Sequence, residues 1–335
     1  MPLFENMQLQ DKHTFHMEAT THFWADFESV EELRNLLQDN RFKNMPKFSV
    51  GGGSNLLFTK DYPGMLLHST IQSIEPIKNA DDVQIRVGSG VVWDDLVDYA
   101  VEHGWSGLEN LSGIPGDVGA TPVQNIGAYG SEAKDSIVLV EALNMETLEL
   151  KTFTNAECQF GYRNSIFKNE LKNRFIVCYV TYSLSKYFMP NLKYGDLLER
   201  VDKSGGANLK NVRNAIIEIR GSKLPDSNLI GNAGSFFMNP EIPKNQFEAL
   251  KVHYPEMPSW PINEAIVKVS AAWFIDKAGW KGKSLGNAAV HDKQALVLVN
   301  PGNAVAADIL NLSDHIIEDV KSKFGITLKP EVIFI

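Results

Sequence analysis

The sequence is poor in cysteine and has no cysteine–histidine grouping with metal-site spacing. Its 335 residues include two cysteines, Cys158 and Cys178, and neither has a neighbouring thiol or histidine cluster. This pattern excludes a disulfide framework and a zinc site, and it favours reduced, buried thiols. We therefore expect a cytoplasmic protein without a metal ion.

Long hydrophobic runs and an excess of positive charge are also missing. No stretch approaches the roughly 20 apolar residues of a transmembrane helix. The first 21 residues carry Asp11, Lys12 and His13 and no apolar run, which argues against a signal peptide. The formal net charge of −9 argues against nucleic-acid binding and against docking to an anionic membrane. We expect no membrane partner and no nucleic-acid partner. A monomer is a separate expectation, on which the net charge has no bearing.

Three common motifs are incomplete. Gly282-Lys283-Ser284 has the end of a P-loop, but Lys277 stands where the first glycine is required. Gly88-Ser89-Gly90 begins a dinucleotide fingerprint, but its last position is Trp93. Ser235 is not followed at the second position by the glycine of a hydrolase elbow. The ATPase, Rossmann dehydrogenase and serine hydrolase interpretations are therefore disfavoured.

Glycine, by contrast, is concentrated in three stretches at 51–55, 112–130 and 231–240. Each mixes glycine with serine or asparagine, so the backbone can approach a long ligand closely and offer its N–H groups. The third stretch alone suits either a turn followed by a core Phe-Phe pair or a polar side chain in an apolar pocket. Glycine alone leaves flavin, nicotinamide and nucleotide-sugar binding open.

The remaining pattern is mixed α+β and long enough for two or three domains. Ser29 with Glu32 forms a capping box before a first helix, and a second helix is predicted over 93–102. Alternation predicts a strand at 83–87. Further strands are predicted at 137–143, 175–184 and 211–220, and an apolar face over 304–323 predicts a helix that Gly325 ends. A loop-like segment at 205–210 predicts the domain boundary.

Several motifs follow one another in an order that identifies a family. The stretch 112–130 contains Ser-Gly-Ile-Pro-Gly and Gln-Asn-Ile-Gly-Ala-Tyr-Gly. The others are Gly51–Asn55, Gly161–Phe167, Lys223–Asp226, Gly231–Pro240 and Lys329–Val332. Over nearly the whole chain the sequence resembles the UDP-N-acetylenolpyruvoylglucosamine reductase (UDP-N-acetylmuramate dehydrogenase) family. The segment with Tyr187 and Tyr194 resembles the longer flap of the type I form.

The resemblance implies a fold and a cofactor. The expected α+β fold is a vanillyl-alcohol-oxidase/PCMH-type FAD-binding domain at 15–205, with two subdomains. A smaller α+β substrate-binding domain at 206–335 follows, and its last strand returns toward the flavin. Superfamily members with covalent flavin often carry a histidine near the first glycine turn. Because 51–55 has none, we expect non-covalent FAD.

The family motifs also imply the FAD contacts, which wrap the pyrophosphate and the flavin. These residues are Gly51, Gly52, Gly53, Ser54, Asn55, Ser112, Gly113, Ile114, Pro115, Gly116, Gly119, Ala120, Gln124, Asn125, Ile126, Gly127 and Tyr129.

The implied reaction reduces UDP-N-acetylglucosamine enolpyruvate to UDP-N-acetylmuramate for peptidoglycan and cell wall synthesis, and hence for cell shape and division. NADPH reduces the flavin, hydride passes to the enolpyruvyl β-carbon, and the α-carbon is protonated. Arg163 matches the catalytic arginine for the carboxylate, Ser235 the proton donor, and Glu331 the glutamate that polarises developing charge. A related FAD oxidase and a non-catalytic nucleotide-sugar binding protein stay open as alternatives.

The positions of six further residues match the substrate contacts of the family. They are Tyr162, Tyr194, Lys223, Asn239, Trp260 and Gln294. Two positions depart from the expected pattern. Trp260 replaces a tyrosine, so a hydrogen bond there is expected to become stacking. Ile333 replaces the arginine two residues after the glutamate, so a flavin or phosphate contact is expected to be lost or supplied elsewhere.

Overall fold

The computed structural model describes residues 1–78 and 82–335, which form two compact units. Unit 1 comprises Met1–Met7, Thr21–Gly52 and Pro63–Ser222. Unit 2 comprises Gln8–Thr20, Gly53–Tyr62 and Lys223–Ile335. The chain thus enters the long segment of unit 2 at Lys223, whereas the sequence places a boundary at 205–210. The predicted bounds of the two functional domains stay a prediction.

The strands and helices have the following bounds. The strands are β1 Leu3–Gln8, β2 Thr20–Phe27, β3 Lys47–Val50, β4 Leu56–Leu57, β5 Tyr62–Ser69, β6 Ile74–Lys78, β7 Asp82–Gly88, β8 Gly127–Ala128, β9 Ser131–Glu132, β10 Ile137–Asn144, β11 Leu150–Thr154, β12 Phe175–Ser185, β13 Gly231–Asn232, β14 Glu241–Pro243, β15 Ser259–Pro261, β16 Ile266–Val269, β17 Ser284–Leu285, β18 Ala288–Val290, β19 Leu298–Asn300 and β20 Ile333–Phe334. The helices are α1 Val30–Gln38, α2 Trp93–Glu102, α3 Thr121–Gln124, α4 Leu197–Lys203, α5 Leu209–Lys223, α6 Lys244–His253, α7 Ala271–Lys277 and α8 Ala306–Phe324.

Unit 1 is built on a four-stranded sheet, β1-β2-β5-β3, and a five-stranded sheet, β11-β10-β12-β7-β6. Alternate residues of β7 point to one face, and Val83, Ile85 and Val87 are fully buried there. The apolar stripe of α2, with Leu96 and Ala100, belongs to the same core. The turn after β7 and the start of α2 are thereby fixed in place.

Unit 2 combines the sheets β13-β19-β18-β17 and β14-β16-β15 with a parallel pair formed by β4 and β20. Helix α8 buries Ile309, Leu312, Ile316 and Val320 at helical spacing against this core. Gly325 ends α8 at φ 69°, as predicted, since glycine adopts the left-handed conformation without strain. No helix in the two described ranges combines the length and apolar character needed to cross a membrane.

Two predicted helices are confirmed, and one predicted strand is wrong. The Ser29 hydroxyl accepts the Glu32 amide at the start of α1, and α2 covers 93–102. The segment 211–220, predicted as a strand, lies inside helix α5. Its buried Val212, Ile216 and Ile219 follow the 3.6-residue period, which prevails over the β propensity of the Ile-Ile pair.

Candidate active site

Two glycine stretches predicted to contact FAD lie side by side in unit 1. A Cβ added to Gly52 would lie 3.2 Å from the Cα of Gly116, and one added to Gly51 would lie 3.2 Å from Oδ2 of Asp117. Glycine therefore lets the 51–52 turn approach the 113–117 loop at a distance that few side chains allow. The close approach of these two backbone segments suits a diphosphate bound by backbone N–H groups.

A third turn joins this arrangement, and the sequence interpretation missed it. The Gly119 amide donates to the Ser89 carbonyl at 2.9 Å, and a Cβ on Gly119 would lie 2.7 Å from Cβ of Ser89. The Ser89 hydroxyl donates to the Ser69 hydroxyl at 2.7 Å. The signal in the sequence is the Gly-Ser-Gly turn between strand and helix, which does not complete the dinucleotide fingerprint.

Within unit 2, Gly53 continues the first glycine stretch. It has φ +64°, and an added Cβ would lie 2.2 Å from the Lys12 carbonyl oxygen and 2.6 Å from Cα of His13. No L side chain fits there without moving the backbone. Ser54 and Asn55 follow in the same segment, which leads into β4.

We expect Gly53→Ala to destabilise the protein by about 2–5 kcal/mol. Left-handed strain contributes roughly 1–2 kcal/mol and overpacking roughly 1–3 kcal/mol. Thermal unfolding of the purified variant measures the loss. The matched control is Gly325→Ala, which has φ +69° but nothing within 4 Å, so only strain is added. Equal losses for both variants would contradict the close approach at Gly53.

Arg163 is held by backbone carbonyls of a predicted FAD segment. Its Nη2 donates to the Gly127 carbonyl at 2.6 Å, and its guanidinium lies 5.3 Å from the Tyr162 ring centroid. The buried Asn125 side chain donates to the Gly161 carbonyl at 3.0 Å and so fixes the turn that carries Arg163. The structure brings these predicted catalytic, substrate and FAD residues together in unit 1.

Three non-glycine residues of this region have left-handed backbone conformations. They are Asn125 at φ 47°, Tyr129 at φ 47° and Arg163 at φ 52°. Such conformations cost free energy and persist where surrounding contacts enforce them, often at functional sites. All three residues are among those predicted from the sequence.

Tyr129 lies beside Tyr194 and beside an arginine that the sequence did not single out. The two tyrosine rings meet edge to face at a centroid distance of 5.6 Å. Nε of Arg220 donates to the Gly113 carbonyl at 3.0 Å. Burial raises the pKa of Tyr129, and the Arg220 charge opposes this; burial lowers the pKa of Arg220. Because the sequence predicts a strand over 211–220, it does not place Arg220 beside Gly113.

Asn110 anchors the flap segment to this tyrosine. Its amide nitrogen donates to the Tyr129 carbonyl at 3.0 Å and to the Asn191 carbonyl at 2.8 Å. The Asn191 amide donates in turn to the Gly130 carbonyl at 2.9 Å. Asn110 is buried, and nothing in its sequence neighbourhood marked it as part of the site.

In unit 2, backbone pairing brings Ser235 and Glu331 into neighbouring segments. The Glu331 amide donates to the Phe236 carbonyl at 2.8 Å, and the Phe236 amide donates to the Leu296 carbonyl at 2.7 Å. Phe236 and Phe237 are each 1 % exposed, whereas Ser235 is only half-buried. The Phe-Phe pair therefore anchors the loop in the core while the adjacent serine stays accessible.

The start of the third glycine stretch is fixed by a close approach. A Cβ on Gly231 would lie 2.4 Å from the Phe15 carbonyl oxygen, and the Asn232 amide donates to the Thr14 carbonyl at 2.8 Å. Gly234, at φ +66°, then turns the chain into Ser235. This stretch needs glycine at both ends of the turn for geometric reasons.

The segment carrying Glu331 is fixed by the last strand. The Ile333 amide donates to the Asn55 carbonyl at 3.0 Å, and the Asn55 side-chain amide donates to the Glu331 carbonyl at 3.3 Å. Ile333 itself pairs with Leu56 in the parallel ladder. Asn55 thus holds the predicted catalytic glutamate by its backbone within unit 2.

The other predicted substrate residues are distributed over unit 2. Gln294 accepts the Leu296 amide at 3.4 Å, so it lies beside the backbone that holds Phe236. Asn239 accepts the Ala271 amide at 3.0 Å, at the start of α7. Lys223, the exposed last residue of α5, and Trp260, on β15, are not joined to the Ser235 loop by hydrogen bonds in the described ranges.

Full-length relatives decide the family. A reductase from Bacteroides fragilis is 51% identical over 332 residues, covering 99% of both chains. One from Flavobacterium johnsoniae is 48% identical over 336 residues, again covering 99% of both. Both bear the name UDP-N-acetylenolpyruvoylglucosamine reductase. The chain belongs to the UDP-N-acetylenolpyruvoylglucosamine reductase family.

Family models agree with this assignment, and a solved structure has the same fold. An FAD binding domain matches residues 24–149, and the UDP-N-acetylenolpyruvoylglucosamine reductase C-terminal domain matches residues 225–335. The crystal structure of the Thermus caldophilus reductase aligns with a TM-score of 0.71 at 24% identity, covering 100% of this chain and 99% of that one. The predicted fold class, an FAD-binding domain followed by the reductase C-terminal domain, is confirmed.

Proposed function

We propose that the chain is an FAD-containing oxidoreductase that reduces UDP-N-acetylglucosamine enolpyruvate to UDP-N-acetylmuramate with NADPH. This reaction supplies a peptidoglycan precursor and serves cell wall synthesis. The observation that carries the proposal is the hydrogen bond between the Glu331 amide and the Phe236 carbonyl. It pairs the backbone segment that carries Ser235 with the distant segment that carries Glu331, which supports a shared role for the two residues in reduction of an enolpyruvyl group.

The glycine turns are the part of the chain that fits FAD. When bound, FAD accepts hydride from NADPH and delivers it to the substrate. The amides of Gly51, Gly52 and Gly116 are proposed to donate to the diphosphate, since these residues carry no side chain. Pro115 has no N–H, and the Gly113 amide already donates to Oδ1 of Asp94 at 2.6 Å. The carbonyls of Asn125 and Gly127 accept hydrogen bonds from Arg163. These bonds link the FAD segment to the arginine that is proposed to bind the substrate. We propose that attachment is non-covalent.

Arg163 is proposed to bind the enolpyruvyl carboxylate. Hydride addition at the β-carbon moves electron density toward that carboxylate, so a cation fixed beside it stabilises the transition state. A guanidinium suits the task because its planar fork matches a carboxylate. The carbonyl of Gly127 holds the fork in place before substrate arrives.

Ser235 and Glu331 are proposed to complete the reaction. Ser235 donates a proton to the α-carbon as the carbon–carbon double bond is consumed. A hydroxyl is a weak acid, so the proton transfer depends on the stabilisation of charge by neighbouring groups. Glu331 is proposed to polarise the negative charge that develops on the substrate. The six substrate residues named from the sequence are proposed to hold the sugar and the diphosphate, with Trp260 stacking.

The remaining expectations concern partners and location. We propose that the enzyme acts in the cytoplasm as a monomer and binds neither nucleic acid nor membranes. Its partners are then the two small molecules alone. Size-exclusion chromatography with light scattering measures the molar mass, which should be that of a single chain.

Substrate-dependent NADPH oxidation tests the proposed function. The purified protein should be yellow, and acid should release its flavin into solution. NADPH consumption should then require UDP-N-acetylglucosamine enolpyruvate. Flavin reoxidised by oxygen alone would point to an oxidase, and absence of any turnover would point to a binding protein. Either result would overturn the proposal.

A further inference from the structure

A histidine lies between two aspartates in unit 1, and the proposed reaction does not use them. His68, on β5, has Nδ1 at 2.9 Å from Oδ1 of Asp26 and Nε2 at 3.8 Å from Oδ2 of Asp117. The same Asp26 oxygen accepts the Trp24 indole N–H at 2.8 Å. Asp117 is 8% exposed, so its charge is largely removed from water.

The Asp117 carboxylate lies against the first glycine turn. A Cβ on Gly51 would meet its Oδ2 at 3.2 Å, and a Cβ on Gly52 would meet its Oδ1 at 3.5 Å. A buried carboxylate next to a turn that binds diphosphate repels the ligand. The imidazolium of His68 is the cation positioned to offset that charge. With His68 protonated, the three groups carry two negative charges and one positive; with His68 neutral, both negative charges are uncompensated.

The environment of His68 favours the protonated form. Burial favours the neutral ring, but hydrogen bonds to Asp117 and Asp26 more than offset it and raise the pKa of His68 above its ordinary value. These aspartates, from the 112–119 loop and from β2, are the titratable groups that face it among the described residues. Its partner on β3 is Val50, which carries no charge.

We propose that His68 is a positioning residue for FAD. The His68 imidazolium holds Asp117 at the Gly51–Gly52 turn and offsets the negative charge of Asp117. FAD is then retained more tightly at low pH than at high pH. The affinity for FAD is highest below the His68 pKa and falls as pH rises through it. Loss of the His68 proton leaves the Asp117 charge uncompensated, and this charge repels the diphosphate. This inference rests on the proposed function, which assigns the turn to FAD.

Dilution of the holoenzyme tests this role without an activity assay. Release of FAD is followed by flavin fluorescence at about pH 6 and about pH 9. In the wild type we expect the dissociation constant to rise about tenfold between the two. His68→Gln keeps the approximate shape of the side chain and removes its charge. This variant should therefore bind FAD weakly, and equally at the two pH values. Asp117→Asn removes the repulsion and should bind tightly at both.

The control is His103→Gln, which changes an exposed histidine of the same unit and should keep the wild-type profile. A flat wild-type profile, or a His68→Gln variant with the wild-type slope, would overturn the role of His68. The Asp117→Asn variant keeps the test valid if His68→Gln does not fold. Failure of every protein to retain FAD at about pH 6 would overturn the proposed function instead.

Discussion

Replacement of Ser235 by alanine is expected to slow the second half-reaction by about 10²–10⁴-fold, the usual contribution of a general acid. The first half-reaction, reduction of the flavin by NADPH, should keep nearly its wild-type rate because no proton donor to the α-carbon takes part. Alanine removes only a hydroxyl, and Phe236 continues to anchor the loop in the core. Stopped-flow absorbance of the flavin resolves the two phases.

Ser284→Ala is the control for this variant, since Ser284 is an exposed serine of unit 2 on β17. It should leave both half-reactions unchanged. Equal slowing of both half-reactions in Ser235→Ala would contradict the proton-donor role. A loss of rate confined to the reduction of flavin by NADPH would contradict it as well. That result would assign Ser235 to the nicotinamide half-reaction.

Arg163→Met should lower the rate of substrate reduction by about 10²–10³-fold, as expected for loss of one preorganised group that stabilises developing negative charge. The KM for the enolpyruvyl substrate should rise too, because the ground-state carboxylate also loses its partner. Arg163→Lys should recover only part of this, since an ammonium lacks the planar fork. Steady-state kinetics of both variants separate the two parameters.

Arg174→Met removes an exposed arginine of unit 1 and serves as the charge-matched control. It should keep wild-type kinetics. Because Arg163 also holds the Gly127 carbonyl, the variants need a measurement of retained flavin per chain. Loss of flavin with normal kinetics in the remaining holoenzyme would mean that Arg163 supports the FAD segment and not the carboxylate.

Much of the fold was predictable where a local rule and the global packing agree. Ser29 and Glu32 start α1 because the cap satisfies amides that the helix leaves unpaired. The apolar stripe of α8 faces the core, and Gly325 ends the helix. Segment 211–220 was mispredicted because Ile216 and its apolar neighbour suit a strand locally, whereas the fold uses the helical face.

The candidate site was predictable only in part, for a related reason. Ser235, Arg163 and Glu331 came from family motifs, and backbone pairing then joined the first and last of these. Ser89 and Arg220 were missed because their significance depends on contacts with Gly119 and Gly113, far away in sequence. Long-range backbone contacts of this kind leave no periodic or motif signal in one sequence.

The central claim is that the chain uses bound FAD to couple oxidation of NADPH to reduction of the enolpyruvyl substrate. The most direct test follows flavin absorbance of the wild-type holoenzyme without oxygen, first with NADPH and then with UDP-N-acetylglucosamine enolpyruvate. The account predicts that NADPH bleaches the flavin and that the substrate restores its colour while UDP-N-acetylmuramate forms. Flavin that stays bleached after the substrate is added, and regains colour only with air, would contradict it.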